Sequence, residues 1–289
     1  MHYKGTIIRP PSEAHSLILQ VTTGCSHNRC TFCGAYREKK FTIKNDEIIN
    51  SDLEFAAEFC QKQKTVFLAD GDALVIPQPR LLDLLKKIQL RLPWVRRVSL
   101  YANCQNILSR SLNELKELKA AGLGRIYMGL ESGHDRTLLK IKKNATSAQF
   151  IQAGQLVKSS GIFLSVTCLL GIAGIRYSLH HAADTASVIN QMEPRQVAVL
   201  TLMILDKTEL AKAVASHEFM MPDKLGLFQE LRMMISGINV KKCQFQANHA
   251  SNYFNLDGRL PRDKDKFLEI IDQAISGALH LKPESLRAL

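Results

Sequence analysis

Between residues 16 and 215 of this 289-residue chain, short apolar runs alternate with amphipathic stretches. The runs occupy 16–21, 65–70, 98–102, 125–130, 163–170 and 196–203. Strands buried on both faces read this way, because helices cover each side of a parallel sheet. Between the runs, Leu81, Leu84, Leu85, Ile88 and Leu92 form one apolar helix face, and Leu53, Ala56, Ala57 and Cys60 form another. Ser111 and Glu114 read as a capping box, with Gly122 as the stop, and Thr146 to Gln149 repeats the start signal. Six strand–helix units in series predict an α/β fold built as a partial (β/α)6 TIM-like barrel. An eight-unit barrel takes about 250 residues, more than this repeat supplies.

Residues 1–15, with Arg9-Pro10-Pro11, read as an extended arm and 16–215 as the barrel. After 215 the pattern changes to a helix over 224–235, a strand at 242–246, a polar turn-rich stretch and a closing helix over 264–279. Residues 216–289 are expected as a C-terminal α+β extension packed on the barrel, since no long linker precedes them.

The first strand leads into Cys25-Ser26-His27-Asn28-Arg29-Cys30-Thr31-Phe32-Cys33, a C-x4-C-x2-C run. Closed structural zinc sites and ordinary iron–sulfur sites take four protein ligands. Three thiolates leave one metal position open for chemistry. The competing reading is zinc with His27 as fourth ligand.

There is no apolar run of transmembrane length and no signal-peptide pattern at the N-terminus, so a cytoplasmic protein with reduced thiols is expected. Cys60, Cys104, Cys168 and Cys243 then read as buried single cysteines. The net charge of +11 reads first as a solvated basic surface, and mildly favours an anionic substrate. The basic residues are dispersed without interleaved aromatics, so a nucleic-acid partner is admitted but not favoured. No membrane partner is expected.

In a parallel barrel the reacting groups lie at the C-terminal strand ends. The cysteine loop follows the first strand, Asp70-Gly71-Asp72 the second, Asn103 the third, Glu131-Ser132-Gly133 the fourth and Gly171-Ile172-Ala173-Gly174 the fifth. Singly each is weak, since a polar residue after a strand often caps the next helix. Five on successive strands form a pattern.

That pattern, over about two-thirds of the chain, resembles the radical S-adenosylmethionine (SAM) enzymes. The resemblance implies a [4Fe–4S] cluster held by Cys25, Cys30 and Cys33, with SAM on the remaining iron. It implies that Phe32 lies next to the adenine and that Asp70-Gly71-Asp72 accepts hydrogen bonds from the methionyl ammonium. Glu131 and Ser132, within Gly129-Leu130-Glu131-Ser132-Gly133, are similar to the strand-4 segment of the coproporphyrinogen-dehydrogenase-like and methylthiotransferase-like branch. Glu131 would accept from ribose hydroxyls. Gly171 and Gly174 resemble the strand-5 glycine motif, and Asn103 completes the cofactor set. The chain departs from the family in its first cysteine gap, one residue longer than usual. It also ends the second-strand motif in Asp72 rather than Glu, and continues the fifth with Ile175-Arg176 where an acidic residue is common.

The resemblance further implies an oxidoreductase-type radical enzyme with an electron donor such as flavodoxin or ferredoxin. A second cysteine cluster and an N-terminal cobalamin domain are not expected, which counts against sulfur insertion and cobalamin-dependent methyl transfer. Two other functions stay open: a non-catalytic protein that carries haem or another prosthetic group, and a zinc-stabilised RNA-binding protein. His27 and Asn28 either tune the cluster or shape the loop. His180 and His181 read as solvent-facing, and Met203, Met220, Met221, Met233 and Met234 as core filler. Asn248, His249, Asn252 and Tyr253 either cover the barrel mouth, with His249 and Tyr253 as catalytic candidates, or form a turn held by its own amides.

Overall fold

The structure is a computed structural model that describes residues 1–288. Its principal strands are β1 (Leu17–Gln20), β4 (Thr65–Ala69), β5 (Arg97–Tyr101), β6 (Leu123–Glu131), β7 (Phe163–Leu170), β8 (Gln196–Thr201), β9 (Cys243–Ala247) and β10 (Leu256–Leu260). A two-residue pair, β2 (Thr22–Thr23) and β3 (Thr42–Ile43), stands apart. The helices are α1 (Asp46–Phe59), α2 (Gln78–Arg91), α3 (Cys104–Leu108), α4 (Leu112–Ala120), α5 (Asp135–Lys140), α6 (Ser147–Ser159), α7 (Ser178–Met192), α8 (Glu209–Ala215), α9 (Lys224–Gly237) and α10 (Lys264–Ile275). The eight-stranded sheet follows the order β1-β4-β5-β6-β7-β8-β9-β10. Strand–helix alternation with parallel pairing is the α/β architecture expected from the sequence.

The chain divides into two compact units. The first comprises 1–28, 35–128 and 156–164. In it β1, β4, β5 and the start of β6 pair in parallel, Leu19 beside Leu68 and Leu68 beside Leu100. Val66, Phe67, Leu68 and Ala69 are all fully buried, as a strand covered on both faces requires. Leu81, Leu84, Leu85 and Ile88 form the buried stripe of α2. The capping box at Ser111 and Glu114 starts α4, and Gly122, at φ +103°, follows its end. The N-terminal arm is not loose. Glu13 is fully buried and its carboxylate accepts from Arg97, Ser99 and Tyr127. Burial, and then this carboxylate, push the Tyr127 phenol up to about 12.

The second unit comprises 29–34, 129–155 and 165–289. Here β7 pairs with β8 in parallel, β8 with β9 in parallel, and β9 with β10 antiparallel. The expected lone strand at 242–246 is therefore the first of a pair that continues the sheet. Helix α9 packs against α7 and α10. The chain departs from expectation at several side chains. Cys60, at the C-terminus of α1, is part-exposed, whereas Cys104, Cys168 and Cys243 are buried as expected. Met220 and Met233 are exposed rather than core filler, while Met234 is fully buried. Among the described residues no helix is long and apolar enough to cross a membrane.

Candidate functional site

In the first unit, β1 and β4 deliver Cys25 and Asp70 to the same place. Val21 N–H donates to the Ala69 carbonyl, and Gly71 N–H to the Gly24 carbonyl at 3.1 Å. Gly24 turns the chain at φ +72° just before Cys25. A side chain at Gly71 would meet the Tyr36 ring at 2.6 Å and Cys25 Cβ at 3.0 Å, so only glycine lets these segments approach.

The two aspartates flanking Gly71 differ in kind. Asp72 is engaged at both oxygens. Its carboxylate accepts from Ser26 Oγ at 2.5 Å, Asn103 Nδ2 at 2.7 Å, Asn106 Nδ2 at 2.5 Å and Asn103 N–H at 3.3 Å. Burial pushes its pKa up to about 6, although these donors pull the other way. Asp70 is equally buried; its Oδ2 accepts from Gln20 at 3.1 Å, Lys39 at 3.2 Å and Gly24 N–H at 3.4 Å, and the Tyr36 phenol also interacts with this carboxylate. Oδ1 has no hydrogen-bond partner. An unpaired buried carboxylate oxygen is costly, and it is a ready acceptor for a cationic ligand. Burial first, and then the charge of Asp70, hold the Tyr36 phenol far above its ordinary range.

The cysteine loop divides between the units: Cys25 belongs to the first, Cys30 and Cys33 to the second. All three are part-exposed. Asn28, at φ +41°, donates to the Tyr36 carbonyl at 2.8 Å, so it shapes the loop. Thr31 N–H donates to the Ile141 carbonyl and the Thr31 carbonyl accepts from Leu210 N–H, which anchors 29–34 within its unit. Phe32 is half-buried. Among the described residues no three His, Cys, Asp or Glu side chains converge on one ion. A [4Fe–4S] cluster does not need that, because each thiolate binds a different iron. Three soft sulfur donors at this spacing fit such a cluster.

In the second unit, β6 ends on Glu131, a non-glycine residue held at φ +63°. Such residues cluster at functional sites. Its carboxylate, on a residue only 8% exposed, accepts from Lys143 at 2.9 Å and lies over Gly129, where a Cβ would collide with it. Next to it Ser132 pairs with His181 Nδ1 at 2.7 Å, and Gly133 N–H donates to Thr185 Oγ1 at 2.8 Å. His181 is fully buried, not solvent-facing as its sequence setting implied; His180 is exposed. Gly171, at φ +82°, donates its N–H to Glu230 Oε1 at 2.7 Å, and Ser178 donates to Glu230 Oε2. An acidic residue from α9 thus stands against the strand-5 segment. Gly174 turns the chain again at φ +68°. Burial, and then the charge of Glu131, push the Cys168 thiol far up, which keeps it protonated and out of metal chemistry.

The segment 248–253 leaves β9 at its C-terminal end. Asn252 donates to the Val199 carbonyl and accepts from Thr201 Oγ1, which puts it at the C-terminal end of β8. His249 pairs with Ser251, Asn248 donates to Asp257, and the Tyr253 hydroxyl donates to Glu284 at 2.8 Å under the Arg287 guanidinium. Burial, and then Lys282, lower the His249 pKa.

Residue patterns gave no notice of Tyr36, Asn106, Lys143 or Glu230 as members of these clusters. Glu230 alone left a trace, a charge on the apolar stripe of α9 between Leu227 and Met234.

A family model, the Radical SAM superfamily, matches residues 19–188, more than half of the chain. The chain belongs to the radical SAM superfamily. The family implies a [4Fe–4S] cluster and S-adenosylmethionine. Among solved structures, methylornithine synthase (PylB) is similar at a TM-score of 0.55 and 14% identity, over 78% of this chain and 66% of that one. HydG, a maturase of the [FeFe]-hydrogenase, is similar at 0.52 and 19%, over 78% and 50%. Elp3 of the archaeon Methanocaldococcus infernus is similar at 0.50 and 15%, over 80% and 58%. At these identities the likeness concerns the radical SAM fold alone. The chain spans about half to two-thirds of the length of these structures. No curated protein matches it.

Proposed function

We propose that this chain is a single-cluster radical SAM enzyme that acts on an anionic substrate. Cys25, Cys30 and Cys33 would hold the cluster. When bound, the cluster supplies the electron that splits S-adenosylmethionine into methionine and a 5′-deoxyadenosyl radical able to abstract a substrate hydrogen atom. The protein's part is binding, orientation and exclusion of water.

The observation that carries this reading is the unpaired Asp70 Oδ1, buried one residue from the glycine that packs on Cys25. It suits the methionyl ammonium, which has three protons to donate. Asp72 gives its Oδ2 to three side-chain donors and its Oδ1 to the Asn103 N–H, and so ties Ser26, Asn103 and Asn106 together. Asn103 therefore acts on the cofactor through the shape of the turn. Glu131, oriented by Lys143, would accept from the ribose. Ser132, Gly171 and Gly174 would set the backbone beside the adenine, with Phe32 against its face. We place the chain near the coproporphyrinogen-dehydrogenase-like and methylthiotransferase-like branch on the strength of Gly129-Leu130-Glu131-Ser132-Gly133. A flavodoxin or ferredoxin would deliver the electron. His249 and Tyr253 stay as candidates for the substrate side because the segment follows the C-terminal end of β9.

The test is anaerobic reconstitution followed by incubation with S-adenosylmethionine and dithionite. Release of 5′-deoxyadenosine is expected. A brown, reconstituted protein that binds S-adenosylmethionine but never releases 5′-deoxyadenosine would favour the carrier function, and a colourless zinc protein would exclude both.

A further inference from the structure

We propose that the second unit carries an anion-binding cleft for a phosphate-bearing ligand, distinct from the cofactor residues named above except for the Gly174 backbone. The cleft, about 340 Å³, lies between α5, the turn 172–177 after β7, and the segment 217–220 after α8. This is within the range of small-ligand sites.

Three exposed cations line it: Arg136, Lys140 and Arg176. The guanidinium carbons of Arg136 and Arg176 lie 4.7 and 5.3 Å from the centre of one ring, Tyr177. Lys140 Nζ lies 5.9 Å from the centre of the Phe219 ring. Among the described residues none of the three forms an ion pair, and Glu218 is the only carboxylate in the lining. Two guanidiniums gathered over one ring repel each other, and neither is closed off by an ion pair, although Asp135 and Asp184 border Arg136 on its other side. The residues just before α7 also line the cleft. That 15-residue helix has no side-chain cap and no acidic residue of its own in its first turn, but the buried Glu230 carboxylate sits on Ser178 and offsets its positive end, so the field of the cleft rests on the three cations.

The cofactor is a poor match for this cleft. S-adenosylmethionine carries a sulfonium, an ammonium and one carboxylate, a net positive charge. A phosphate answers the arginine forks in two-point contact. Tyr177 is half-buried, and Ile175 and Met220, 59% and 60% exposed, offer apolar surface beside it for a base or another flat group. Phosphate bound by arginine beside aromatic and apolar surface is the chemistry of nucleotides and single-stranded RNA.

The test uses the full chain and two probes, a fluorescein-labelled ten-nucleotide RNA and adenosine 5′-monophosphate as its competitor. The variant R136Q/K140Q/R176Q is compared with K62Q/K86Q/K116Q, which removes the same charge from exposed lysines elsewhere. At low salt the cleft variant should bind the RNA at least about tenfold more weakly. Its salt dependence should be shallower by about 2 in log–log slope, at about 0.7 for each phosphate no longer neutralised. The control variant should stay near wild type. Competition by the monophosphate would mark a nucleotide-sized site, and RNA binding without competition a polymer site; both support the cleft. Equal weakening in the two variants would reduce the binding to general charge and overturn the proposal, as would an unchanged slope or no binding of either probe to the wild type. If the triple variant fails to fold, R176Q alone must weaken binding with a slope change of about 0.7. Iron content and 5′-deoxyadenosine release without substrate should be unchanged in all variants, so failure of the cofactor reading is seen separately.

Discussion

Gly71→Ala probes the packing that brings Asp70 to the cysteine loop. The added methyl would sit 2.6 Å from Tyr36 Cε2 and 3.0 Å from both Tyr36 Cζ and Cys25 Cβ. Carbon atoms rest at about 3.5–4.0 Å, so about 1 Å of movement must be found. Tyr36 is only 7% exposed, and its main chain is fixed by Asn28. Part of the shift must therefore fall on Cys25. Overpacking of this kind costs about 1–3 kcal/mol, a few degrees in Tm. The assay is iron per chain after anaerobic reconstitution, alongside thermal unfolding. We expect lower Tm and reduced cluster retention. Tyr36→Leu removes the colliding ring. The double variant should then cost less than the sum of the singles by about 1 kcal/mol or more. Wild-type stability and iron content in Gly71→Ala, or strict additivity with Tyr36→Leu, would refute the argument.

Three further outcomes are expected. Glu131→Gln should keep the cluster but weaken S-adenosylmethionine about ten- to hundredfold in an anaerobic titration, since a hydrogen bond to a charged group is worth about 1.5–3 kcal/mol; unchanged affinity would remove Glu131 from the site. Asp72 is raised from 3.8 to about 6 in the folded chain. Its stability contribution is therefore full below about pH 4 and lost as pH rises through about 6, by about 3 kcal/mol. Relative to Asp72→Asn, the wild type should lose about 2 kcal/mol of this between pH 4 and pH 7 in urea unfolding, and a flat difference would contradict it. Gly133→Ala would drive a methyl to 2.5 Å from the Asp184 carbonyl oxygen and 2.6 Å from Thr185 Cα. Because those are backbone atoms of α7, the unfolding free energy should fall by about 1–3 kcal/mol and the urea midpoint with it, and an unmoved midpoint would count against a tight β6–α7 contact.

The strands of the sheet were legible because burial on both faces leaves unbroken apolar runs. β10 was not, since Leu256-Asp257-Gly258-Arg259-Leu260 alternates and holds a glycine. β2 and β3 are two residues each, too short for any period. The cysteines were legible from spacing, and the strand-end acids from their place after each run. What could not be read was which aspartate stays open. That depends on Ser26, Asn103 and Asn106 meeting around Asp72, residues up to 80 positions apart. His181 misled because a helix start reads as exposed. Its burial follows from the Ser132 hydroxyl and the Thr185 side chain, which only the fold brings to it.

The central claim is that three thiolates, and no other cysteine, hold an open-site cluster. It is tested most directly by iron and sulfide analysis of seven single Cys→Ala variants after identical anaerobic reconstitution. Cys25→Ala, Cys30→Ala and Cys33→Ala should lose the visible absorbance and the iron. Cys60→Ala, Cys104→Ala, Cys168→Ala and Cys243→Ala should keep about four irons per chain. Loss of the cluster in a folded variant of the second group, or its retention in any of the first three, would contradict the account.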